Sequence, residues 1–95
     1  MKLTELDPRW TAAEADRKGQ VIVFLCPKCG NHFLGVFFQN PIDGKAPFVG
    51  SGKTNENNWS RTGDSFENLS ITPSIKIVGC CEWHGFVTNG EIITV

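Results

Sequence analysis

Two short turns constrain this chain more than any other feature in it. The first reads Cys26-Pro27-Lys28-Cys29-Gly30 and the second Cys81-Glu82-Trp83-His84-Gly85. Each is a donor side chain, two spacers, a second donor and a glycine, and each follows a β-rich run. Two spacers let the backbone fold back so that both donors converge on one ion, and a glycine after the second donor supplies positive φ without strain. Cys26, Cys29, Cys81 and His84 make a Cys3His set, the composition of a closed tetrahedral zinc site. Thiolate and imidazole donors select zinc over magnesium or calcium. One structural zinc ion is therefore expected, joining half-sites about fifty residues apart and closing a long loop.

Two nearby residues compete for the same role. Adjacent side chains on an extended backbone point in opposite directions, so Cys80 is out of register with Cys81 and reads as a small buried side chain. His32 lies just past the first turn. It reads as a strand residue beside the site, or as a hydrogen-bond partner to a ligand, because four better-spaced donors already close the shell.

The rest of the chain supports a mainly β fold. QVIVFL at 20–25 and HFLGVFF at 32–38 are β-branched and aromatic and predict strands on either side of the first turn. FENLSI and SIKIV predict two more, broken at Thr72-Pro73, and FVTNGEIITV predicts a hairpin turning at Asn89-Gly90. Thr11 and Glu14 resemble a capping box, which gives a short helix or an ordered loop up to Gly19. Residues 39–65 are rich in Asn, Gly, Pro and Asp and predict a long irregular region with Phe48 and Trp59 as apolar anchors. At 95 residues the chain predicts one domain over 1–95, with a thin core that a metal staple would reinforce. The expected architecture is a small antiparallel sheet or sandwich carrying two zinc-ribbon-like knuckles and a C-terminal hairpin.

Composition removes several functions. A net charge of −1 with scattered Lys and Arg argues against a nucleic-acid partner. No apolar run is long enough to span a bilayer, and the N-terminus lacks a signal-peptide pattern, so a cytoplasmic protein is expected. GSGKT at 50–54 is not a phosphate loop, because Pro47 stands where that motif needs glycine. Four protein donors leave zinc no position for water or substrate, and Glu82 has no H-E-x-x-H or H-x-E context that would make it a base. The expected function is that of a non-enzymatic module binding a host or phage protein. Phe48, Trp59 and Arg61 form the candidate interaction surface. For Trp59 a core position pinning the loop ranks above a contact role. The alternatives are a nucleic-acid-binding zinc ribbon and a metal-dependent hydrolase.

The motifs DPRW at 7–10, CPKCG at 26–30, NPIDG at 40–44, WSRTGDSFENLSITPSI at 59–75 and CEWHGFVTNGE at 81–91 carry a further likeness. Through them nearly the whole chain resembles a family of small phage and prophage proteins of unassigned function. In that family the second turn is usually C-x-W-H-G, which implies Cys81 as the ligand, and Cys80 departs from the pattern. Some members bear an ammonia monooxygenase label. No copper-type histidine cluster or membrane span in this sequence supports it. The resemblance implies a phage origin, a bacterial host cell and a metal site, without an activity.

Overall fold

Alternating apolar side chains organise the chain into two antiparallel sheets. The computed structural model describes residues 1–11, 19–44, 58–77 and 82–95. The first sheet has the order β1 (Arg9–Thr11), β2 (Val21–Leu25), β3 (Phe33–Phe37). In β3 the inward Leu34 and Val36 are buried while Phe33 and Gly35 face out, the two-residue period of a half-buried strand. The second sheet runs β4 (Ser60–Thr62), β5 (Ser70–Lys76), β6 (His84–Thr88), β7 (Glu91–Thr94) in chain order. A parallel bridge between Phe38 and Trp59 links the two sheets.

Both sheets feed one apolar cluster. Ile22, Phe24, Val36 and Phe38 meet Ile71, Ile75, Trp83 and Val87, and each is 2% exposed or less. A short 3-10 helix, Leu3–Leu6, adds Leu3 and Leu6 to the cluster. Its chain entry also covers part of the β7 edge, with the Leu3 N–H donating to the Gly90 carbonyl and the Ile92 N–H to the Met1 carbonyl, both at 2.8 Å. Pairing an edge strand in this way removes a template for unwanted strand association.

The expected mainly β fold is what forms, with local differences, one being the strand β4 at Ser60–Thr62 inside the 39–65 segment expected to be irregular. The segment 70–76 is one strand rather than two separated at Pro73. Between the pairs Ile71↔Val87 and Ile75↔Gly85, β5 advances four residues (71 to 75) while β6 moves two (87 to 85). The two surplus residues are taken up as a bulge around Thr72, Pro73 and Ser74, where the missing proline N–H costs no ladder bond. The peptide bond between Thr72 and Pro73 is cis. At the N-terminus, β1 and the 3-10 helix were not expected, and Thr11, the expected cap, is the last residue of β1. The rest of the expected helix, Phe48 and the GSGKT segment lie outside the described residues. The C-terminal hairpin forms as its sequence predicts, with positive φ at both Asn89 (48°) and Gly90 (78°), the requirement of a type I′ turn. No helix among the described residues is long and apolar enough to cross a membrane.

Candidate functional site

The β2–β3 hairpin builds the first half of the site. Its last strand pair is Leu25↔Phe33, which leaves Cys26 and His32 as the next residues across the ladder. The Cys26 N–H donates to the His32 carbonyl at 2.9 Å, and the Gly30 N–H donates back to the Cys26 carbonyl at 2.8 Å. Gly30 takes the left-handed conformation (φ 66°) that the turn needs. These bonds bring Cys26, Cys29 and His32 together, with one potential ligand atom from each lying within 4.8 Å of the others. Cys29 Sγ lies 3.2 Å from His32 Nδ1. Cys26 is buried and the other two are half-buried. Two sulfurs and one imidazole nitrogen at this spacing fit three corners of a tetrahedral metal site and leave one for a further donor. His32 thus joins the cysteines directly, although the sequence spacing placed it outside the ligand set.

The second turn is organised differently from the first. Cys81 and its neighbour Cys80 lie outside the described residues. The left-handed residue here is Glu82 (φ 47°), and Gly85 is not left-handed. Gly85 is required for space instead, since a Cβ at that position would collide with the Trp83 ring and the Ile93 carbonyl. Trp83 is buried beneath the turn. Its indole N–H donates to Thr94 Oγ1 at 3.1 Å, and its carbonyl accepts from the Ile77 N–H at 2.7 Å.

His84, expected on the metal, meets a serine. Its Nε2 lies 3.0 Å from Ser74 Oγ, both side chains being half-buried. The register explains the encounter. His84 opens β6 opposite Lys76, and Ser74, two residues before Lys76, lies on the same sheet face. Two further bonds fix the backbones. The Trp59 indole N–H donates to the Ser74 carbonyl at 3.3 Å, and the Val95 N–H donates to the His84 carbonyl at 2.9 Å. A hydroxyl held against an imidazole nitrogen at this distance has the geometry of a nucleophile and its general base.

Both turns also face one another. Pro27 and Lys28 of the first line a pocket of about 300 Å³ together with Glu82, Trp83 and His84 of the second. Trp59 and Arg61, expected on an interaction surface, are half-buried. Trp59 packs against the core. Arg61 donates from Nη1 to the Gly63 carbonyl at 2.7 Å, and its backbone is bound on both sides by the Asn40 amide. Burial lowers the Arg61 pKa below the usual guanidinium value, opposed by the neighbouring Asp64 charge.

The contact between Ser74 and His84 is a pairing that sequence reasoning missed. Catalysis was sought at the metal or in a local motif, and Ser74 and His84 belong to neither, being ten residues apart on adjacent strands. The available signal was a proline interrupting an otherwise regular strand, the mark of a bulge, and bulges re-aim side chains beside active sites.

Comparison with curated proteins and with solved structures gives no match. A family model described as BubE, bacterial ubiquitination-like system serine protease, matches residues 2–95. That description overturns the expectation of a non-enzymatic interaction module, and it lends nothing to the metal-dependent hydrolase alternative. The physical reason is that a serine hydrolase needs no open metal position, so a closed zinc shell never argued against catalysis elsewhere on the sheet. It also assigns the family to a bacterial system, where the sequence resemblance pointed to phage proteins. With the match spanning almost the whole chain, this protein belongs to the BubE family of serine proteases of bacterial ubiquitination-like systems.

Proposed function

We propose that this protein is a serine hydrolase that cleaves peptide or isopeptide bonds within a bacterial ubiquitination-like system, with Ser74 as nucleophile and His84 as general base. The observation that carries the reading is the 3.0 Å contact between Ser74 Oγ and His84 Nε2 in a chain of a family described as serine proteases. A serine hydroxyl is a weak nucleophile until a neighbouring base takes its proton. For that transfer the hydroxyl donates to Nε2, which requires the imidazole proton on Nδ1. Attack on the carbonyl then forms an acyl-serine, the departing amine collects the proton from His84, and water repeats the sequence to release the acid.

The metal belongs to the same reading in a supporting role. Cys26, Cys29 and His32 would supply three donors and Cys81 a fourth, in place of the Cys26, Cys29, Cys81, His84 set expected from spacing. The 4.8 Å grouping of the first three supports the revision, as does the engagement of His84 Nε2 by Ser74. A single zinc ion suits two or more thiolates with imidazole. Cys26, Cys29, His32 and Cys81 would hold the ion, which would supply structural support rather than bond-cleaving chemistry.

Hydrolysis of p-nitrophenyl acetate tests the nucleophile directly. The protein should release p-nitrophenolate in a stoichiometric burst, and both Ser74→Ala and His84→Ala should reduce the rate by about a thousandfold or more. Both variants should retain the far-ultraviolet circular dichroism of the parent. An undiminished burst from Ser74→Ala refutes the assignment.

A further inference from the structure

We propose that the pocket beside His84 binds the amine half of the substrate, the part that leaves when Ser74 is acylated, and that it selects an alkyl chain on the leaving nitrogen. The inference rests on the Ser74–His84 reading. In that reaction Ser74 Oγ bonds to the scissile carbonyl carbon and the C–N bond breaks. The proton that His84 took from Oγ passes to the departing nitrogen. The acyl half therefore stays on Ser74, and the nitrogen must come to rest over His84.

The sheet fixes which way the amine half then points. Ser74 approaches His84 from β5, on one side, while Val95 pairs with His84 from the β7 side, its N–H on the His84 carbonyl at 2.9 Å. The pocket of about 300 Å³ opens on the Val95 side: His84 and Val95 line it, and Ser74 is not among the described residues that do. A group entering it is attached to the nitrogen, not to the acyl carbon.

Its walls indicate the chemistry. Pro27, Trp83 and Val95 are apolar, and the volume lies at the bottom of the range of small-molecule pockets, which suits one side chain rather than a folded surface. Lys28 and Glu82 stand at the same pocket with opposite charges, so the lining offers no single sign and selection falls to shape and apolarity. An alkyl chain on an amine occurs in two substrates of such an enzyme. One is the aliphatic residue that follows a peptide bond, and the other is the butyl stem of a lysine whose ε-nitrogen carries an isopeptide.

Acetyl transfer reads the pocket without a natural substrate. Full-length protein treated with p-nitrophenyl acetate gives acetyl-Ser74, which partitions between water and added amines. An amine nitrogen bonds to the acetyl carbon, Ser74 Oγ leaves and regains its proton from His84, and an N-alkyl acetamide results. n-Butylamine, norleucinamide and glycinamide are compared at equal free-base concentration, counting only amide formed above the Ser74→Ala background. The better of the two alkyl amines should be acetylated about tenfold more than glycinamide, the discrimination typical of a small apolar pocket. Val95→Asp, at a side chain on a residue 72% exposed, should bring that preference to within about twofold by charging the wall. n-Butylamine ahead identifies the lysine stem, and norleucinamide ahead identifies the residue after a peptide bond. Acetyl-Ser74 that partitions equally among the three amines, or a preference that Val95→Asp leaves unchanged, overturns the pocket and spares the nucleophile. Failure to form acetyl-Ser74 overturns the nucleophile and the pocket together.

Discussion

Trp59→Phe should weaken both the fold and the chemistry, because the Trp59 indole N–H holds the bulge that presents Ser74. The bond to the Ser74 carbonyl is 3.3 Å long, at the weak end of N–H···O geometry, so its loss costs about 1 kcal/mol. The smaller ring also gives up part of a half-buried surface against the core, about 0.5 kcal/mol at ~25 cal/mol per Å². The sum of about 1.5 kcal/mol should lower the melting temperature by roughly 6 to 12 °C in a domain of this length. The backbone of Trp59 should stay in place, since its N–H donates to the Phe37 carbonyl at 2.8 Å and its carbonyl accepts from the Gln39 N–H at 2.7 Å. Freed of the indole, the Ser74 carbonyl relaxes and Oγ moves relative to His84 Nε2. A misplacement of about 1 Å costs up to a hundredfold in rate, and a partial one should cost about tenfold. The assay is the rate of acetyl-enzyme formation from p-nitrophenyl acetate beside a urea titration of the same variant. A variant destabilised by the expected amount with an unchanged acylation rate refutes the positioning argument, leaving Trp59 as core packing alone.

Further outcomes follow from the same contacts. Protein purified without chelator should carry about one zinc per chain by elemental analysis, as tight structural sites fill during folding. His32→Ala should lose that zinc and His84→Ala should keep it, the reverse result restoring the spacing-based ligand set. Cys81→Ser should lose the metal and fall below its folding threshold, because structural zinc binding is worth on the order of 10 kcal/mol, whereas Cys80→Ser should cost only about 1 kcal/mol in a denaturant titration. Gly85→Ala should cost about 1 to 3 kcal/mol by forcing a methyl group against the Trp83 ring and the Ile93 carbonyl, and acylation should slow with it because His84 is the adjacent residue.

What was legible in the sequence was whatever depends on neighbours along the chain. The β2–β3 and β6–β7 hairpins follow from β-branched runs and from turn residues that tolerate positive φ, and both form. The cysteine pair of the first turn was likewise visible, being set by two spacers and Gly30. His32 was expected beside the site or as a hydrogen-bond partner to a ligand, and the hairpin register makes it the residue across from Cys26, 3.2 Å from Cys29 Sγ through its Nδ1. The matched glycines misled for a physical reason. Gly30 answers a demand for positive φ, whereas Gly85 answers the volume of Trp83, and a sequence shows the same letter for both. Ser74 and His84 were invisible as a pair because strand register joins them. The pairing of Lys76 with His84 places Ser74 diagonally across from the histidine, and no spacing within one segment encodes that.

The most direct test of the central claim is where a fluorophosphonate becomes attached. The reagent phosphonylates a serine only where a neighbouring base has activated it, so it separates Ser74 from the other serines of the chain. Intact mass should show one adduct per chain. Peptide mapping should place it on Ser74, and His84→Ala should abolish labelling while the zinc content stays at one. An adduct on a different serine, or labelling that survives His84→Ala, contradicts the assignment of Ser74 and His84 as the catalytic pair.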